Sequence, residues 1–431
     1  MKEKSIGKVI IFTFIVLVVL APAVMGGGAA EEQAAKVIEL VYWRTLSGAA
    51  GDAQDELAKM FNESQGRIHV TVQFQGDYTA LGKALLAAYA AGGGPHVSQL
   101  GTFEMVEFSK SQVLVDLNPY LKGKNGIDTS DWAGTMATAG EYKGGTYWLP
   151  FNVSVPVLYY NTDAFKEAGL IRPPATWDEF FEAAKKLTVK DNSGNIVRAG
   201  VAQWNITWPL LSAVWSEGGS FNSKDYSKIT INDPRNVDIL SKFQKLIKEG
   251  GAIMPDSASG GHRAAFINGR AAMILDSPAP FQEIFKNAVG FTPAVANYPA
   301  GKAGKVYAPG GGGIVMSATC PEALREAAWE FMKYMLSPES LAYYAERSGY
   351  AAFSKKSQQL AADMLKDQRY AIMHDALSYL VGDFSVNSSP AVRNALDKAI
   401  QRIFIDKVDV KTALDEADAQ AEKAIVEELN N

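Results

Sequence analysis

Cysteine and histidine are scarce in this chain of 431 residues. The single Cys320 allows no intramolecular disulfide and no cysteine cage for a metal. The four histidines, at 69, 96, 262 and 374, never fall at H-x-x-x-H or H-E-x-x-H spacing, so a histidine-rich zinc site is not expected. An excess of positive charge is also lacking. With 42 Lys and Arg against 47 Asp and Glu, the net charge of −5 gives no basic field to hold a nucleic acid. Catalytic signatures are missing as well: there is no G-x-S-x-G, and the glycines 310–313 are not followed by the Lys-Ser/Thr of a phosphate loop. The oxygen-rich run 191–195 lacks the glycine and glutamate of a calcium loop and reads as a turn. Asp375 and Asp383 have no arrangement that marks them as a catalytic pair.

What is present is apolar substance in quantity. At 47% apolar and 21% charged residues, the chain is neither disordered nor collagenous, and its length predicts two or three domains with real cores. Lys2, Lys4 and Lys8 precede an apolar run from Val9 to Leu20, which ends at Pro22 and passes into small residues. Basic start, apolar middle and small-residue exit describe a secretory signal over about residues 1–30, and the run is shorter than the roughly 20 residues of a spanning helix. No cysteine follows it, so a lipidated N-terminus is not expected. A periplasmic or otherwise extracytoplasmic location follows.

Beyond the signal, residues 36–43, 67–74 and 96–101 read as strands, separated by helical patterns from Asp52 and over 79–92. Strand, helix, strand, helix, strand predicts a parallel sheet covered by helices. Residues 144–161 then collect β-branched and aromatic side chains around Pro150 and Pro156, the mark of extended chain passing from one domain to the next. Helices are predicted after Asn161, after the Thr176 cap and over 321–336, strands at the end of 266–277 and over 310–317, and mostly helix in the last third. Trp43, Tyr78, Trp204, Trp208 and Tyr350 fall outside helical core spacing. Together they suit a cleft in which rings cover a polyhydroxylated small molecule.

The order of PFNVSVPVLYYNTDAFKEAGL (150–170), PPATWDEF (173–180), FINGRAAMILDS (266–277), GGGGIVMS (310–317) and SGY (348–350) resembles the extracellular solute-binding proteins of ABC importers, the family that includes maltose-binding protein. The string from Asn152 to Asn161 is most similar to the branch that binds glycerol-3-phosphate. The resemblance implies an α/β fold of two lobes with a ligand cleft between them. The expected division is 31–152 with about 281–330 in the first lobe, and 153–280 with about 331–431 in the second. It implies capture of glycerol-3-phosphate or a glycerophosphodiester and delivery to membrane permease subunits, by a monomer that needs no cofactor and catalyses nothing. Carried over one at a time, the ligand residues would be Tyr78, Glu104, Ser154, Ser277, Gly310 or its neighbour Gly311, Tyr350 and Arg393, with Trp204 aligned loosely. Tyr78 and Glu104 are expected on the first lobe, Tyr350 and Arg393 on the second. Val153, Val155 and Asp276 depart from the pattern and reduce the donors near a phosphate. The residues alone also admit a sugar or oligosaccharide receptor, a secreted glycosidase with paired carboxylates, or an adhesion module.

Overall fold

The computed structural model describes residues 36–430 except Phe103, 204–206, 222, 224–227, 256–259 and 382–389. The signal segment expected over 1–30 lies outside the described residues.

Two sheets organise the chain from Val37 onward. The first runs in the order Ile68–Phe74, Ile38–Arg44, Val97–Gly101, Gly310–Met316 and Leu149–Ser154. Its first three strands are parallel, as the alternation of strands and helices predicts, and Gly310–Met316 lies antiparallel to both its neighbours. The second runs Ala252–Ile253, Ile196–Ala202, Ala271–Asp276, Val157–Asn161 and Pro293–Asn297, with Val189–Lys190 paired to Ile196–Ala202. Both are buried by helices. Tyr42 of the first sheet packs edge-on to Phe331 with ring centroids 5.4 Å apart, and Trp177 of the helix Trp177–Leu187 packs in the same way on Tyr298, at 5.7 Å, beside the second sheet.

Local signals explain most helix boundaries. Thr176 caps Trp177–Leu187 by accepting from the Glu179 amide at 3.3 Å, and Asp77 caps Tyr78–Ala90 by accepting from the Ala80 amide at 2.8 Å. The first helix differs from expectation: it spans Gly48–Ser64, so Asp52 lies inside it and does not cap it. The 191–195 run is a turn, in which Asp191 accepts from the Ser193 and Asn195 amides at 2.8 and 2.9 Å.

Three crossings join the sheets, and two differ from the expected division. The chain leaves the first sheet at Ser154 and enters the second at Val157, close to the predicted passage. It returns between Asn297 and Gly310, because Pro293–Asn297 pairs with Val157–Asn161 in the second sheet. Residues 281–297 therefore belong with the second lobe. The third crossing follows Pro338–Ser348, which packs on Gly48–Ser64 in the first lobe, and precedes Gln368–Ala376, which packs on Pro293–Asn297 in the second. Residues 331–348 thus belong with the first. Strand pairing and helix packing decide these assignments, and neither is visible in a one-dimensional pattern.

Candidate functional site

Where the chain makes its first crossing, the first sheet presents a run of glycines. Gly310 pairs with Ser154 across the sheet, and Gly312 pairs with Gly101. A side chain at Gly310 would meet the indole of Trp208 at 2.8 Å, and one at Gly312 would meet the Tyr78 ring at 2.7 Å. Glycine is used because large rings lie directly on the backbone. Gly311 differs: its φ is +87°, and its carbonyl accepts from the Thr102 amide at 3.2 Å and hydroxyl at 3.0 Å. Of the two alternatives, Gly310 faces the aromatic surface while Gly311 turns the strand and spends its carbonyl on Thr102.

A chain of amides and hydroxyls lies beneath that surface. Gln99 accepts from the Thr45 amide at 2.7 Å and hydroxyl at 3.0 Å, and donates to Asn152 at 3.1 Å; Asn152 in turn donates to the Tyr78 hydroxyl at 2.6 Å. Thr45, Gln99 and Asn152 are fully buried, so the network orients Tyr78 without using charge. Burial pushes the Tyr78 phenol far above its ordinary range, and it stays protonated. Burial likewise raises Tyr350 to about 12. Ser154 is 2% exposed, and its hydroxyl has no hydrogen-bond partner among the described residues. Leaving a buried hydroxyl unpaired costs about 1–3 kcal/mol, and an acceptor or donor from a ligand would offset it.

Glu104 stands at the start of the short helix Met105–Lys110, and its carboxylate lies against Gly101. Arg393, on Pro390–Phe404, places Nη1 3.6 Å from Glu104 Oε1. Pro390–Phe404 packs on Thr207–Ser216 and Pro234–Lys248 of the second lobe, so this ion pair spans the two lobes. Burial pushes the Glu104 carboxyl up and Arg393 opposes that.

The second lobe contributes a compact charged cluster. Asp276, fully buried at the end of its strand, receives Arg263 Nε at 2.6 Å and Nη2 at 3.0 Å, and lies 2.8 Å from His262 Nε2. Burial alone would raise this carboxyl; Arg263 and then His262 outweigh it and hold it down at about 2. Ser277 follows. Its amide donates to Asp276 Oδ1 at 2.6 Å, its hydroxyl accepts from the Ala279 amide at 3.3 Å, and its carbonyl accepts from the Tyr159 hydroxyl at 2.9 Å.

Of the expected residues, Ser154 and Gly310 pair on the first sheet and Tyr78, at the start of its helix, packs on Gly312 of the same strand; Glu104 meets Arg393, and Ser277 joins the Asp276 cluster. Tyr350 was expected on the second lobe, but the neighbouring Ala351 amide donates to the Val153 carbonyl at 3.4 Å and Tyr350 packs 5.9 Å from Tyr344, which ties it to the first. Trp204 lies outside the described residues. Trp208, expected outside helical core spacing, is on the helix Thr207–Ser216 and donates to the Pro309 carbonyl at 3.1 Å. Asn152 and Arg263 were not anticipated as site residues. Asn152 opens the Asn152–Asn161 string and was within reach of that argument, whereas nothing in the sequence around Arg263 links it to Asp276. Asp276, expected only to subtract donors, is the counter-ion that fixes Arg263.

The family profile described as bacterial extracellular solute-binding protein matches residues 46–342, more than half of the chain. The chain belongs to this family. Among curated relatives of this solute-binding protein, the sn-glycerol-3-phosphate-binding periplasmic protein UgpB of Rhizobium meliloti is 26% identical over 436 residues, covering 96% of this chain and 100% of the relative. UgpB of Yersinia pestis is 27% identical, covering 88% and 90%. Among solved structures, UgpB from Mycobacterium tuberculosis in complex with glycerophosphocholine superposes with a TM-score of 0.81 at 22% identity, covering 91% of this chain and 99% of that one. A substrate-binding protein from Listeria monocytogenes in complex with cycloalternan gives 0.78 at 23% identity, covering 90% and 99%. These likenesses establish the two-lobed α/β fold, in agreement with the two sheets.

Proposed function

We propose that this solute-binding protein captures glycerol-3-phosphate or a related glycerophosphodiester between its lobes and delivers it, outside the cytoplasm, to the permease subunits of an ABC importer. It acts as a monomer, without cofactor and without catalysis. The observation that carries this reading is the Arg393–Glu104 pair spanning the lobes, with the Ser154 hydroxyl, which has no partner among the described residues, on the first lobe beside Gly310. A phosphate is served by a planar guanidinium with hydroxyl and amide donors, and glycerol hydroxyls by a carboxylate acceptor. Contacts supplied by both lobes make binding favour the closed arrangement, which is how ligand shifts the population presented to a permease. The relatives named for glycerol-3-phosphate give independent support.

An oligosaccharide ligand is the second reading, favoured by the Trp208 indole against Gly310 and by the cycloalternan-bound neighbour. A thermal-shift panel separates the two, because a ligand held by the folded state alone raises the midpoint according to its concentration over Kd. Stabilisation by glycerol-3-phosphate or glycerophosphocholine is expected; stabilisation by maltotriose alone would overturn the proposal.

A further inference from the structure

Two guanidinium groups serve this region, and they are held differently. Arg393 and its counter-ion Glu104 are both accessible, at 27% and 15% of their side-chain surface, so the pair presents a cation and an anion together. Arg263 keeps 25% accessible, while Asp276 behind it keeps none. In that second pair the accessible member is the cation, which also has a further partner of its own. Asp276 grips two nitrogens of the guanidinium and also takes the Ser277 amide on Oδ1, so Arg263 and Ser277 are fixed to one carboxylate. Residues 349–350 lie close by, since a side chain at Gly349 would meet the Pro278 carbonyl at 3.5 Å. Burial raises the Tyr350 phenol, Asn152 and then Arg263 lower it, and Asp276 opposes them. A planar cation anchored from behind has lost its rotamer freedom before any ligand arrives, which favours anion binding.

We propose that Arg263 is the specificity-determining cation of the second lobe: it receives the negatively charged end of the ligand beside Ser277 and Tyr350, and Asp276 and His262 act as its positioning residues. This rests on the proposed function above. It assigns the choice of an anion over a neutral sugar to Arg263 together with Arg393.

The test uses calorimetric titration of glycerol-3-phosphate into the wild type, Arg263→Gln and the double variant Arg263→Gln/Asp276→Asn. The single change strands a buried carboxylate and can lower stability on that ground alone. The double change replaces the pair by neutral groups of similar shape, and its thermal unfolding verifies the fold. The expected result is that the folded double variant binds glycerol-3-phosphate at least tenfold more weakly than wild type. Affinity restored to the wild-type value in the double variant would mean that Arg263 only neutralises Asp276, and would overturn this inference while leaving the proposed function standing. A wild type that binds maltotriose and no phosphorylated glycerol would overturn both.

Discussion

The two lobes orient their candidate ligand groups with opposite chemistry. On the first lobe, Tyr78 is oriented by Thr45, Gln99 and Asn152 through neutral hydrogen bonds, above a strand stripped to glycine so that rings can rest on its backbone. On the second, Ser277 and Arg263 are oriented by one buried carboxylate. Neutral networks are inexpensive to bury when every member is paired, and they suit groups that meet hydroxyls. A buried charge is tolerated only with its partners in place, so the second face is rigid but depends on all of its members. Among the described residues, Glu104 and Arg393 are where the two lobes touch through charge.

The contrast can be broken on the charged side first. Asp276→Ala leaves Arg263 and His262 beside an emptied position and should lower unfolding stability by about 3–5 kcal/mol, read by denaturant titration. Arg393→Ala should leave the fold intact and weaken glycerol-3-phosphate binding by about 100-fold, the worth of a charge-assisted hydrogen bond with loss of the Glu104 partner. Unchanged affinity would remove Arg393 from the site. On the neutral side, Gly311→Ala forces a side chain into a left-handed conformation at φ +87° and against the Asn152 carbonyl, at an expected cost of about 2–3 kcal/mol in stability.

Two further effects are smaller. Because Asp276 is held at about 2, below its ordinary 3.8, its contribution is fully present above pH 4 and is lost as pH falls from about 4 toward 2. Stability measured across that window should fall less steeply in the Arg263→Gln/Asp276→Asn protein than in the wild type. Ser154→Ala removes a hydroxyl that has no partner among the described residues. It should raise the stability of the unliganded protein by about 1 kcal/mol while weakening ligand binding by about tenfold, the sign expected of a group kept for binding. A loss of stability would show that Ser154 is structural.

The sequence made the first lobe more legible than the second. Alternating strands and helices gave the parallel start of the first sheet, and the pattern over 310–317 gave its strand Gly310–Met316. Thr176 marked its helix because capping is local chemistry. The helix read from Asp52 begins a turn earlier, at Gly48. The crossings after residue 297 and near 360 were misplaced because sheet membership is decided by pairing between distant strands. Arg263 and Asp276 are thirteen positions apart, on a helix and a strand, and only the turn between those elements brings them together. Residue type alone made Asp276 look like an obstacle to an anion; its partner converts it into the anchor of a cation.

The proposed ligand is a phosphorylated glycerol held from both lobes. Calorimetric titration of the wild-type protein with glycerol-3-phosphate and, separately, with maltotriose tests this most directly. Saturable one-to-one heat with glycerol-3-phosphate and none with maltotriose is the predicted result, and saturable heat with maltotriose alone would contradict it.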